Sequence, residues 1–202
     1  MNKVIISLFL CLCFIFTGCS TINSPIPLPD EDDSKYGQIV YSNSFETEKE
    51  QSEIPVYAPS FFEQNEKGGV SVHCINETDS WYFFCLSDYD SLMFSPLERY
   101  TVTYTMKILQ PVTGNDFFYC FFESDVDPSQ GAANTSRGCG FDDRGNVVRA
   151  TEYCTAKAEK DGSQWKITMY VSLSVGDYRI TFGSFGKCEY LLDNVEVRKG
   201  FV

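Results

Sequence analysis

The sequence predicts an all-β domain, a two-sheet antiparallel sandwich, and three observations carry that expectation. Trp165, Ile167, Met169 and Val171 alternate with Lys166, Thr168 and Tyr170, while Tyr178, Ile180 and Phe182 alternate with Arg179, Thr181 and Gly183. Tyr100, Val102, Tyr104, Met106 and Ile108 alternate with Thr101, Thr103, Thr105 and Lys107, the cleanest such run in the chain. A period of two over a short run marks a half-buried antiparallel strand. Aromatic residues make up 15% of the chain, with 17 Phe and 12 Tyr, and these side chains favour strands. No segment carries a long apolar stripe at the helical period of 3.6, so helix content should be low.

The 202 residues suffice for one domain of ordinary size. Residues 1–18 read as an export signal. Asn2-Lys3 gives a small positive start, and Val4 to Phe16 is an apolar stretch too short to span a bilayer comfortably. Phe16-Thr17-Gly18-Cys19 then resembles a bacterial lipobox, which implies cleavage before Cys19 and acylation of its thiol. A secretory signal with a chance cysteine is the alternative. Several acyl chains would hold the protein on a membrane, where one chain binds only weakly. Residues 19–37 are an expected tether, with Pro25, Pro27 and Pro29 followed by Asp30-Glu31-Asp32-Asp33, extended by proline and kept solvated by charge.

The domain, 38–202, holds a short first strand at Ile39 to Tyr41. Eight more are expected at Val70 to Ile75, Trp81 to Leu86, Tyr100 to Leu109, Phe117 to Phe122, Val147 to Cys154, Trp165 to Val171, Tyr178 to Phe182 and Cys188 to Val197. Glu50 to Gly69 and Glu123 to Gly140 read as polar loops. In the last strand Leu191, Val195 and Val197 share a parity with Asp193, which places a carboxylate on the core-facing side.

The formal charge of −12 repels phosphate backbones and excludes nucleic acid as the expected partner. His73 is the single histidine and no Gly-x-Ser-x-Gly elbow occurs, so no catalytic set is read and the domain is expected not to be an enzyme. Glu123-Ser124-Asp125-Val126-Asp127 lacks the third carboxylate of a glucanase-like strand, since Pro128 stands there, and glycoside hydrolysis needs its carboxylates placed. Beyond the signal and Cys19, six cysteines remain: Cys74, Cys85, Cys120, Cys139, Cys154 and Cys188. Six permit 15 connectivities, none has Cys-x-x-Cys spacing, and buried free thiols are an equal alternative to bonds. Cys74 and Cys85 are expected to flank a hairpin, and so are Cys139 and Cys154, without clean register.

The opening Asn43-Ser44-Phe45-Glu46 and the close, Gly162-Ser163-Gln164-Trp165, Tyr178 to Phe182 and Tyr190-Leu191-Leu192-Asp193-Asn194-Val195-Glu196-Val197, together resemble a jelly-roll carbohydrate-binding module of the galactose-binding-like type. The resemblance implies jelly-roll topology, with consecutive strands alternating between the sheets. It also implies a structural calcium ion held by Glu46 and Asp193, with backbone carbonyls completing an oxygen shell; Asp193 capping a turn or pairing with a base is the alternative. The function so implied is a membrane-anchored surface lipoprotein of the cell envelope, exposed outside the cytoplasm, that binds a polysaccharide or cell-surface glycan without catalysis. The alternative is a structural or protein-binding envelope lipoprotein of the same fold.

The glycan face is expected on one sheet. Phe117-Phe118-Tyr119-Cys120-Phe121-Phe122 is apolar on both parities, where a strand with one wet face should alternate. With Phe118, Cys120 and Phe122 inward, Phe117, Tyr119 and Phe121 face out and, with Trp81 and Arg179, offer stacking surfaces and a donor fork to a sugar. A long loop covering these rings as a second core layer is the alternative.

Overall fold

The structure, a computed structural model, describes residues 37–66, 68–85, 94, 98–124, 136–173 and 178–202. In chain order they form β1 (Ile39–Asn43), α1 (Glu48–Ser52), β2 (Phe61–Gln64), β3 (Val70–Asn76), β4 (Trp81–Cys85), β5 (Arg99–Gln110) and β6 (Phe117–Ser124). Then come β7 (Arg137–Phe141), β8 (Val147–Ala150), β9 (Cys154–Asp161), β10 (Gln164–Ser172), β11 (Tyr178–Phe185) and β12 (Cys188–Lys199). One sheet, here sheet A, has the order β2-β3-β12-β5-β10-β9, with β1 also paired to β12; sheet B has the order β4-β11-β6-β7-β8. All pairings are antiparallel.

The alternating residues build the interior. Val102, Tyr104 and Met106 of β5, Ile167, Met169 and Val171 of β10, and Leu192, Val195 and Val197 of β12 meet Phe118, Cys120 and Phe122 of β6 and Ile180 and Phe182 of β11. Each large apolar side chain taken fully out of water contributes about 1.5–3 kcal/mol before the chain's entropy is set against it. Consecutive strands β3, β4, β5 and β6 alternate between the sheets, as do β10, β11 and β12, the jelly-roll pattern of connection.

Four expectations need correction. The run Val147 to Cys154 is two strands, because the chain leaves sheet B at Thr151. Its N–H donates to the Gly138 carbonyl and its hydroxyl accepts from the Gly138 N–H, and Tyr153 then turns with φ 56°. Cys154 consequently opens β9 in sheet A. The two supposed polar loops contain β2 and β7; residues 125–135 of the second lie outside the described residues. Cys74 and Cys85 flank no hairpin, since β3 and β4 belong to different sheets.

The fourth correction concerns Asp193. Between Asp193 and Glu196, β12 advances three residues while its partner β5 advances two, from Thr105 to Thr103. This is a β-bulge, with Asn194 at φ 52°, and it flips the side-chain parity. Tyr190 and Leu192 therefore point inward before the bulge, and Val195 and Val197 after it. Leu191 and Asp193 lie on the outer face of sheet A.

Candidate functional site

The outer face of sheet B is built around Phe117, Tyr119 and Phe121, which β6 sends away from the core in alternation with Phe118, Cys120 and Phe122. Outward-facing aromatics should be wet, yet these three are only 8%, 4% and 7% exposed. The neighbouring strands explain it. Gly138 and Gly140 of β7 lie opposite Phe121 and Tyr119, and Gly183 of β11 lies opposite Tyr119 on the other side. These glycines leave a trough in which the rings lie down. A Cβ at Gly138 would fall 2.1 Å from Phe121 Cδ1, one at Gly140 2.6 Å from Phe117 Cδ2, and one at Gly183 2.6 Å from the Tyr119 hydroxyl. Within the trough Tyr119 stacks on Phe121 and Phe117 on Phe185, with centroids 4.8 and 5.9 Å apart. The Tyr119 hydroxyl donates to the Tyr82 carbonyl at 3.2 Å, and burial holds this phenol far above its ordinary pKa, so it stays a donor.

Trp81 stands at one end of the trough. It meets Phe117, Tyr119 and Phe185 edge-on at 5.2–5.6 Å and remains 45% exposed. The Arg149 guanidinium of β8 lies 5.6 Å from the centroids of both Trp81 and Phe117, a cation–π arrangement worth about 0.5–1 kcal/mol at an exposed site. Phe117 and Arg149 also border a groove of about 580 Å³ whose other walls include Asp116, Asp142, Asp143 and Arg144. Asp142 is fixed there by the turn between β7 and β8, accepting from the backbone N–H of Arg144 and Asn146 and from the Asn146 carboxamide. Burial alone would raise its carboxyl pKa, but these bonds outweigh it and hold the group below the ordinary value, as an anion.

The predicted residues are thus partly gathered. Trp81, Phe117 and Tyr119 form one cluster, with Phe121 continuing its floor. Arg179 shares the face but sits six residues along β11 from Phe185, roughly 20 Å at strand rise, beside Glu123 of β6. The cation beside Trp81 is Arg149, which sequence reasoning missed because Val147-Val148-Arg149-Ala150 shows no alternation. Phe185 was missed because its face of β11 otherwise carries Arg179, Thr181 and Gly183, so one aromatic two residues beyond a glycine did not read as part of an aromatic surface.

Asp193 and Glu46 lie around one polar cluster on the other sheet. The Asp193 carboxylate accepts from the Asn194 N–H at 2.7 Å, the Ser71 hydroxyl at 3.1 Å and the Asn65 carboxamide at 3.4 Å. Glu46 accepts from the Val70 N–H at 3.1 Å, and a Cβ at Gly69 would meet both Glu46 and Asn65. Burial, opposed by those hydrogen bonds and assisted by the nearby Glu46 charge, raises the Asp193 pKa. Among the described residues no group of three His, Cys, Asp or Glu side chains gathers at metal-binding distance. The two carboxylates and the Ser71 hydroxyl are oxygen groups of the kind a hard cation takes, but Asn65 turns its N–H to Asp193 and its oxygen to the Gly69 N–H, so backbone carbonyls would have to complete the shell. Cys19 lies outside the described residues.

No protein-family model matches the chain, and no curated protein matches it significantly. Solved structures do. The CBM22-1 xylan-binding domain of Xyn10C from Paenibacillus barcinonensis superposes with a TM-score of 0.52 at 18% identity, covering 84% of this chain and 99% of that one. The CBM22-1–GH10 modules of Clostridium thermocellum endo-1,4-beta-D-xylanase 10B, complexed with xylohexaose, give 0.49 at 14% identity, covering 81% of this chain and 29% of that one. The CBM6cm-2 module of Cellvibrio mixtus lichenase 5A, complexed with cellotriose, gives 0.45 at 13%, covering 81% and 100%. At these identities the similarity establishes architecture, and the argument rests on the Paenibacillus domain, whose TM-score passes 0.5. The fold is a two-sheet jelly roll, the architecture it shares with that xylan-binding domain.

Proposed function

We propose that the domain is a non-catalytic glycan-binding module, carried on the cell envelope by lipid at Cys19. The observation that carries the reading is Trp81, half exposed above a rigid aromatic floor, whose neighbours Phe117 and Arg149 border a groove also walled by Asp116 and Asp142. Sugars offer apolar C–H faces to rings and hydroxyls to charged or polar groups, so a flat indole beside fixed carboxylates and a guanidinium suits a polysaccharide chain. The binding of xylan by the Paenibacillus domain with the same fold is consistent with this ligand class. The test is affinity electrophoresis of the parent and Trp81→Ala against a panel of soluble polysaccharides. Retardation of the parent by at least one glycan, weakened at least about tenfold in Trp81→Ala with an unchanged melt, is expected. A parent that no glycan retards leaves the structural or protein-binding alternative.

The lipid anchor rests on the apolar run that ends at Thr17-Gly18-Cys19. Among the described residues no helix is long and apolar enough to cross a membrane. Cys19→Ser should abolish fatty-acid labelling and move the protein to the soluble fraction; unchanged labelling would remove the anchor from the account.

Calcium at Glu46 and Asp193 is supported by the Ser71 hydroxyl beside Asp193 and by the Coulombic coupling of the two carboxylates, which a cation would relieve. A ligand that binds only the folded state raises the melting temperature. Chelator should therefore lower the Tm of the purified protein and added calcium restore it, with no response in Asp193→Asn. A parent melt indifferent to both additions would exclude the ion.

A further inference from the structure

The chain crosses from sheet B to sheet A at residues 151–153, and two cysteines sit on either side of that crossing. Cys139 of β7 is fully buried and faces the core; Cys154 opens β9 in the other sheet. Their Sγ atoms are 3.1 Å apart. The other described cysteines are placed differently: Cys85 faces away from the core beside the Thr181 hydroxyl, while Cys74, Cys120 and Cys188 are buried in the interior. Cys120 is the register partner of Cys139 on β6, so it is the one competitor for Cys139.

We propose that Cys139 and Cys154 form an inter-sheet disulfide when the domain folds in an oxidising compartment. The structure carries both as thiols, and closing their gap to a bonded separation of about 2.0 Å needs a movement of roughly 1 Å. The backbone is already held there by the paired hydrogen bonds of Thr151 with Gly138 and by the Ser172 N–H donating to the Tyr153 carbonyl. The chemistry needs an external oxidant, a small-molecule disulfide or the active disulfide of a thiol oxidoreductase. One cysteine, as thiolate, attacks that disulfide and releases one reduced thiol. The other cysteine then attacks the mixed disulfide, forms the Cys139–Cys154 bond and releases the second thiol. The hydrogen bond between the two cysteines and then burial push the Cys154 thiol well above its ordinary pKa, and burial does the same to Cys120, so thiolate is scarce once the domain has folded. Cys139 is fully buried in the closed domain, out of reach of an external oxidant, so the bond forms before the sheets close. Its consequence is local: the closed loop contains the end of β7, the turn and all of β8, including Asp142, Arg144 and Arg149, and ties that hairpin to sheet A.

The test is peptide mapping of the full exported chain, alkylated without reduction. One linked pair containing Cys139 and Cys154, separated by reductant, is expected. Alkylation of both residues, or a Cys120–Cys139 link, overturns the proposal. A melt provides the second reading. Opening a loop of this length lowers the Tm by roughly 5–10 °C. Reductant should lower the parent's Tm by that amount and leave Cys154→Ser, already as low, unmoved; a parent insensitive to reductant overturns the proposal equally.

Discussion

At the scale of single residues, the outer face of sheet B works because glycine and aromatic positions are matched across strands. Cross-strand pairing of rings with glycines buries ring faces that would otherwise be wet, and it leaves the exposed indole of Trp81 backed by a fixed support. The division of labour has a sharp consequence. Phe121 is floor, so Phe121→Ala should cost about 3 kcal/mol of stability, while Trp81 is surface. Gly138 is the most constrained position: a Cβ there would also lie 2.2 Å from the Cys120 carbonyl, a backbone atom that cannot swing aside. Gly138→Ala should therefore destabilise by at least about 2 kcal/mol, read from chemical denaturation. A variant within about 0.5 kcal/mol of the parent would show that the trough has more room than the geometry allows. None of this matching was readable in the sequence. The double-sided apolar run of β6 announced that Phe117, Tyr119 and Phe121 needed an explanation; the explanation lies in residues 17 to 66 positions away in the chain.

At the scale of elements, the β7–β8 hairpin carries the charged wall of the groove, and its turn is set by Asp142. The Asp142 carboxyl has a folded pKa below the ordinary 3.8, so it contributes stability that is fully present above that value and is lost as pH falls through the lower folded value. Asp142→Asn should therefore melt below the parent at pH 7, and the gap should narrow as both are taken below pH 3.8. A gap independent of pH would assign the effect to packing instead of charge. The strands with clean alternation, β5, β10 and the first part of β11, were legible because each carries its large apolar side chains on one face and mostly polar ones on the other. β2, β7 and β9 were not. β7 alternates glycine with core residues in Arg137-Gly138-Cys139-Gly140-Phe141, which reads locally as a turn, and β9 is an edge strand whose pattern Thr155, Lys157 and Glu159 against Ala156 and Ala158 buries little. The bulge in β12 was invisible for a related reason. One extra residue at Asn194 leaves the composition of the run unchanged and reverses the parity of everything before it, so Asp193 was read to the wrong face.

At the scale of the whole molecule, the two sheets divide the work. Sheet A presents polar residues such as Thr103, Thr105 and Lys166 around a smaller groove of about 260 Å³, with His73 held between Glu63 and Glu189 at 2.8 and 2.6 Å. Sheet B presents the aromatic floor, the exposed indole and the larger groove. An expected tether of prolines and carboxylates would let this face reach a polymer away from the bilayer. The central claim is that Trp81 touches the glycan. The chain has two tryptophans, so Trp165→Phe makes Trp81 the sole indole emitter. Titrating that variant with the polysaccharide that best retards the parent should shift the Trp81 emission and saturate at the concentration that saturates binding. Saturable binding with an unchanged Trp81 emission would place the sugar elsewhere on the domain and contradict the account.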